Sequence, residues 1–278
     1  QLTKSKRDGC GLFFKRDKFE LLARRDIEYN DIAWGRPVGY VHPEGSPEPT
    51  EAPVDADGGA NKYIRDCVGV LALLRSKTAT DGYVMVASTH LYWDPAHADV
   101  KLAQARRLLG EVELFLASNS PIGSVPVVTA GDFNSVPGSA AHNLLSNGRV
   151  DGAHPELATD PFGILRPPSK LQHPLPLVSA YTALTKQPCL ESEAAERQRT
   201  RMDAQGTGEP IFTNCTKDFF GTLDYIFYTD DTLAPLSLLE LPSEKECRNK
   251  YGGLPNTQCS SDHVALMAEF QWGAARQW

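Results

Sequence analysis

The strongest apolar signal along the chain is the unbroken run Cys67-Val68-Gly69-Val70-Leu71-Ala72-Leu73-Leu74, followed after Asp81-Gly82 by a second run over residues 83–88. Short apolar runs bounded by turn residues predict strands buried on both faces, and the Asp-Gly pair between them predicts a hairpin. Further strands are predicted over residues 11–14, after the turn signal Asp8-Gly9, and over 125–130, 223–228 and 264–270. Between His97 and Ser118 the period changes. Leu102, Ala105, Leu109, Val112 and Leu116 recur at helical spacing, with Lys101, Arg106 and Glu113 on other faces, which predicts an amphipathic helix. A polar helix is predicted over 191–202; its RQRTR run reads as a solvated face, with a basic rim for RNA as the alternative. Residues 44–61 (EGSPEPTEAPVDADGGAN) carry no apolar period and are read as a disordered surface insertion. No internal repeat occurs, and no Gly-x-Gly-x-x-Gly follows a strand. The pattern predicts a sheet-rich, layered α/β domain rather than a dinucleotide-binding fold.

Composition narrows the function classes. At 278 residues with 41% hydrophobic positions, the chain can bury one large core, and the expectation is a single domain over 1–278. No apolar run reaches the roughly 18 residues that span a bilayer, and no secretory leader pattern opens the chain. The net charge of −7 argues against a long basic footprint for nucleic acid. It does not exclude a site that grips a few phosphates through bound cations. The six cysteines form no Cys-x-x-Cys pair, which disfavours a structural zinc. Cys10 and Cys67 are read as small buried hydrophobes, and the thiols as reduced ones of an intracellular protein.

The candidate chemistry sits where predicted strands end. Residues 83–88 run into Thr89-His90-Leu91, and 125–130 into Gly131-Asp132-Phe133-Asn134. Thr222-Leu223 opens onto Asp224-Tyr225, and Ser261-Asp262-His263 directly precedes Val264. Strand ends hold side chains rigidly, so several of them can build one constellation. Carboxylates with an amide oxygen suit a hard divalent cation such as magnesium or manganese, which stabilises charge on a phosphoryl group during in-line displacement. A histidine beside an aspartate supplies a base or a phosphate contact with a fixed tautomer. Glycine at 131 is expected to permit a tight turn that aims Asp132 and Asn134 the same way. Each motif alone has a bland reading as a turn or cap; the four together point to a metal-dependent phosphodiesterase.

The order THL, GDFN, LDY, SDH resembles that of the endonuclease/exonuclease/phosphatase superfamily, whose fold is a deoxyribonuclease-like four-layer α/β sandwich. The longer pieces RDGCGLFFK, STHLYWDPAHADVKLAQA, FTNCTKDFFGTLDYIFY and SSDHVALMAEF resemble the carbon catabolite repressor type deadenylases, and RDGCG, IEYND, RDCVG and VKLAQA its plant and green-algal members. The resemblance implies magnesium-dependent removal of 3′ poly(A) from single-stranded RNA, with manganese as an alternative ion. It implies that His90 contacts the scissile phosphate and that Asp132 and Asn134 sit at the metal–phosphate centre and position the attacking water. Asp224 would orient His263, and Asp262 and His263 would complete the metal and phosphate site. The implied metal set is thus Asp132, Asn134, Asp262 and His263. Pro95 and Phe219 match positions that sandwich an adenine, although either is equally an ordinary turn or covering residue.

Two motifs that the family carries upstream of RDGCG, an asparagine on a strand and a glutamate that holds the metal, have no counterpart in the chain, which begins at Gln1. Glu20 and Glu28 lie downstream of the wrong strand to replace that glutamate. The expectation is a piece of a longer enzyme, acting in the cytoplasm or in a mitochondrion or chloroplast, possessing no membrane span and joining other proteins of a larger complex. The competing expectations are a catalytically impaired relative serving as a structural or assembly subunit, and a phosphodiesterase or phosphatase for another adenylate-containing substrate.

Overall fold

In the computed structural model the described residues are 8–43, 54, 61–79, 82–119, 124–160, 163, 165–185, 192–203, 206–248 and 252–273. In chain order the elements are β1 (Phe19–Glu28), β2 (Val68–Ser76), β3 (Tyr83–His90), α1 (Ala98–Asn119), β4 (Val127–Asp132), α2 (Ala140–Asn147), β5 (Leu177–Ser179), α3 (Ala180–Thr185), α4 (Glu193–Arg199), β6 (Asn214–Cys215), β7 (Phe220–Gly221), β8 (Asp224–Thr229), β9 (Leu233–Leu238), α5 (Glu244–Arg248) and β10 (Ala268–Trp272). Six strands form the main sheet in the order β1-β2-β3-β4-β8-β5. Every pairing in it is antiparallel except β3 with β4, which run parallel and are connected through α1.

The apolar run 67–74 becomes β2, buried along nearly its whole length. Strand β3 instead alternates, with Met85, Ala87 and Thr89 buried and the intervening residues partly open. That alternation corrects the expectation of a second strand covered on both faces. The hairpin between β2 and β3 closes with the Ser76 amide donating to the Gly82 carbonyl; Asp81 lies outside the described residues. One face of the sheet packs against α1 and α2, where Leu102, Leu108, Val112, Leu144 and Leu145 meet Leu71, Met85, Val127 and Phe227. On the opposite face Tyr228 and Leu233 pack with Val128, Ile226, Leu238 and Phe270, so the β9–β10 ribbon forms a second sheet layer.

Several expectations shift. Residues 11–14 form no strand; Phe13 is 96% exposed, while Cys10 packs on Val68 and Val70. The predicted strand 264–270 contributes only its end, as β10, which pairs with β9 and not with the main sheet. Strands β1 and β9 were unforeseen. β1 mixes charged and apolar residues without a clean period, and Pro235 interrupts β9. The polar helix is short, and two arginines of its basic run are spoken for: Arg197 and Arg201 both pair with Glu240. Of the expected insertion, 44–53 and 55–60 lie outside the described residues, whereas Asn61 is buried and accepts the Tyr63 amide. All described cysteines are free thiols, four of them buried.

Helix α1 buries polar residues as well as apolar ones. Glu111 pairs with Arg25 and Arg107, and Arg107 also approaches Asp31, so this side of the helix is held to β1 by ion pairs in place of apolar contact. Lys101, expected on an outer face, is buried too. A polar seam also ties α2 to β5. Buried Glu209 accepts from Ser179 Oγ at 2.8 Å and lies 3.3 Å from His142 Nε2, while the Gly138 amide donates to His142 Nδ1. Nδ1 is then the acceptor and Nε2 carries the proton.

Candidate active site

Strand register explains the site. His90 is the cross-strand partner of Asp132, and Asp132 is the partner of Asp224. The last residues of β3 and β4 and the first residue of β8 therefore form one row across three adjacent strands. Directly paired residues place their side chains on the same face of a sheet, and His90 Nε2 comes within 3.4 Å of Asp132 Oδ2. Gly131, one position before this row, is required for a reason different from the expected turn. It sits inside the parallel ladder at φ +151°, and a Cβ there would lie 2.0 Å from the Thr89 carbonyl oxygen. The bend itself occurs at Asn134, at φ 46°. Its amide N–H donates to Asp132 Oδ1 at 2.8 Å, and its Nδ2 donates to the Leu91 carbonyl at 2.9 Å and to Asp132 Oδ2 at 3.3 Å. Among the described residues the side-chain oxygen of Asn134 accepts no hydrogen bond.

Two residues that the sequence reading passed over build the other half. Thr213 is fully buried; its hydroxyl donates to Asp224 Oδ2 at 2.6 Å and accepts the amides of Leu223 and Asp224. Asp224 Oδ2 also lies 2.7 Å from His263 Nδ1. Asn214 follows Thr213 and donates through Nδ2 to Asp262 Oδ2 at 3.2 Å, and a bridge between Asn214 and His263 anchors the SDH segment to β6. The hydrogen bond that His263 Nδ1 donates to Asp224, reinforced by the charges of Asp224, Asp132 and Asp262, pushes the His263 imidazole up to about 9 against its partial burial. Burial, then the neighbouring Asp224 charge, raises the Asp132 carboxyl to about 6, opposed by His90, the Asn134 amide and His263.

The residues His90, Asp132, Asn134, Asp224, Asp262 and His263, together with Pro95 and Phe219, all line one cavity of about 890 Å³. Pro95 also opens the short 3-10 turn that leads into α1, so its structural reading and its placement at the cavity coexist. Trp93, 64% exposed, and Glu156 line the same cavity and were not singled out beforehand. Glu20 and Glu28 are engaged elsewhere: Glu20 pairs with Arg75, and Glu28 caps the turn after β1.

Asp132, Asp224 and His263 offer ligand atoms that all lie within 4.8 Å of one another. Of the implied set, Asn134 adjoins this group and the half-exposed Asp262 carboxylate accepts from Asn214 with its Oδ2 3.9 Å from His263 Nε2, while Asp224 occupies the row. The group is acidic, and among the described residues the neighbouring Asn134 Oδ1 accepts no hydrogen bond, so the donors fit a hard divalent cation.

The endonuclease/exonuclease/phosphatase family model matches residues 2–263. The chain belongs to that family. Within it, the chain is 42% identical over 273 residues to carbon catabolite repressor protein 4 homolog 1 of Arabidopsis thaliana, covering 95% of this chain and 42% of that protein. It is 34% identical to the CCR4-Not complex 3′-5′-exoribonuclease subunit Ccr4 of Aspergillus niger, covering 95% of this chain and 37% of the relative. The chain thus spans about two fifths of the length of these relatives. A crystal structure of ANGEL2, a 2′,3′-cyclic phosphatase, in complex with adenosine-2′,3′-vanadate superimposes with a TM-score of 0.67 at 28% identity, covering 97% of this chain and 72% of that one. The fold is therefore that of the deoxyribonuclease-like family. Among the described residues no helix is long and apolar enough to cross a membrane.

Proposed function

We propose that the protein is a magnesium-dependent 3′-5′ exoribonuclease that shortens poly(A) and releases 5′-AMP. The observation that carries this reading is the row His90–Asp132–Asp224, joined by His263 and opening into a cavity that Pro95 and Phe219 also line. Asp132 and the free oxygen of Asn134 are the donors that would hold the cation; when bound, it supplies Lewis-acid stabilisation of the phosphate oxygens. Asp132 Oδ2 accepts a proton from the attacking water, whose oxygen bonds to phosphorus as the bond to the upstream O3′ breaks; that oxygen takes a proton from solvent and leaves as the 3′ hydroxyl of the shortened chain. His263, fixed by Asp224 through Nδ1, donates from Nε2 to the phosphate as negative charge builds there. Phe219 and Pro95 bracket the terminal base; stacking of this kind contributes about 1–3 kcal/mol per base. Similarity to a CCR4-Not subunit supports assembly with other proteins as well. Full-length protein incubated with 5′-labelled oligo(A) and Mg2+ is expected to give a ladder of shortened products that Asp132→Ala abolishes. A parent protein that gives no ladder, or a ladder that Asp132→Ala leaves unchanged, defeats the reading.

The similarity to a 2′,3′-cyclic phosphatase holding an adenosine vanadate favours a second reading, opening of a terminal 2′,3′-cyclic phosphate. Oligo(A) ending in a 2′,3′-cyclic phosphate, compared with oligo(A) ending in a free 3′ hydroxyl, separates the two by which is consumed faster.

A further inference from the structure

Lys101 is the one lysine or arginine that lines the active-site cavity, whose other charged walls are four carboxylates and two histidines. Its side chain is more than nine-tenths buried, at 8% exposure. Among the described residues it makes one hydrogen bond, from Nζ to the backbone carbonyl of Asn134 at 2.8 Å. Asp94, Asp132 and Glu156 act on it through space, but none is paired with it. An ammonium has three N–H donors, so two are left without a protein acceptor. A buried cation in that condition is costly unless a further partner completes its shell. The partner must be an acceptor and is best an anion, and it must reach the cavity beside Asn134. A bound cation is excluded by charge.

We infer that Lys101 is a substrate-contacting residue: its ammonium fixes the Asn134 turn and presents its remaining N–H groups to a phosphate oxygen of the bound ester. This inference rests on the phosphodiesterase reading of the cavity, not on the choice of poly(A) as substrate. It gives α1 a direct part in the site, since Lys101 lies in the first turns of that helix. The same contact explains why the helix accepts a buried charge where an aliphatic residue would pack.

The test is equilibrium binding to full-length protein with three probes: inorganic phosphate, 5′-AMP and adenosine. Lys101→Met is expected to weaken phosphate and AMP at least tenfold, leave adenosine unchanged and keep the unfolding midpoint of the parent. Lys101→Gln retains a donor for the Asn134 carbonyl but no charge, and is expected to show the same selective loss, so the result does not depend on the Met variant folding. Lys101→Arg is expected to recover part of the affinity. AMP binding unchanged in both neutral variants overturns the inference. So does an equal loss for adenosine and AMP, which marks a collapsed pocket, or failure of the parent protein to bind phosphate and AMP. An oligo(A) ladder that fails while phosphate binding still depends on Lys101 removes the deadenylase reading and leaves the contact standing.

Discussion

His263 Nδ1 sits 2.7 Å from Asp224 Oδ2, an oxygen that also receives the Thr213 hydroxyl at 2.6 Å. The carboxylate is thus clamped from two sides, and the imidazole is left to present Nε2 to the cavity, 3.8 Å from Asp132 Oδ2. Asp224→Asn keeps the shape and removes the charge. It is expected to return the histidine toward its ordinary value and to lower kcat by about 100-fold or more, the usual range for losing a positioned proton carrier. KM should move little. A pH–rate profile checks this, because the limb set by His263 should move to lower pH in the variant; an unmoved limb would mean that the pair does not act together.

His263 and its neighbour Asp132 make stability depend on pH without a metal. His263 and Asp132 both hold their protons more tightly in the folded chain than in the unfolded one, at about 9 and about 6. Each contribution is complete below the group's unfolded value and is lost as pH rises through the folded one, so what these two groups add to stability falls with increasing pH. The His263 share is lost between about pH 6.5 and 9 and amounts to on the order of 2–3 kcal/mol. A divalent cation competes with these protons, so it should stabilise most at the alkaline end. Thermal unfolding midpoints in EDTA are expected to drop from pH 6.5 to 9, with Mg2+ reducing the drop and His263→Asn abolishing it. A flat profile for the parent protein in EDTA contradicts the account.

What the sequence revealed, and what it hid, follow from range of interaction. Strand-end motifs are local, so His90, Asp132, Asn134, Asp224 and His263 could be named without a structure, and helix α1 was legible from its apolar period. Thr213 and Asn214 were not, because a small polar residue before a two-residue strand has no local signal; their value comes from Asp224 and Asp262, which are distant in sequence. Lys101 looked like an outer-face lysine because helical period reports one packing surface, whereas α1 is enclosed on several. Strand β1 was hidden for a related reason, since its partner β2 buries one side and charged pairs line the rest. The pairing of Asp224 with His263 was expected from the family resemblance; the cross-strand register that sets Asp224 beside Asp132 is visible only in the structure.

Gly131 offers a test of the fold and the site together. Any side chain there meets the Thr89 carbonyl in the one parallel pairing of the main sheet and also faces a backbone angle that side chains rarely adopt. Gly131→Ala is expected to force β3 and β4 apart, cost roughly 2–4 kcal/mol and abolish activity by separating His90 from Asp132. Urea denaturation and the oligo(A) assay measure the two effects. Full activity with parental stability would show that the two strands can part without consequence.

Phe219 lies at the cavity wall, 37% exposed, with its ring resting over Gly221, where a Cβ would come within 3.0 Å of it. A ring at the cavity wall with part of its surface open is placed where a base can stack on it. Phe219→Ala is therefore expected to raise KM for oligo(A) by about 5- to 150-fold, the equivalent of about 1–3 kcal/mol, with kcat nearly unchanged. Phe219→Tyr should keep most of the affinity because the aromatic face survives. Oligo(U) gives the control for base preference: if Phe219→Ala weakens both polymers alike, the ring is a sequence-tolerant platform and adenine selectivity must come from polar groups. If KM for oligo(A) does not change at all, the residue is cover for the β6–β7 hairpin, and the base is bound elsewhere on the cavity wall.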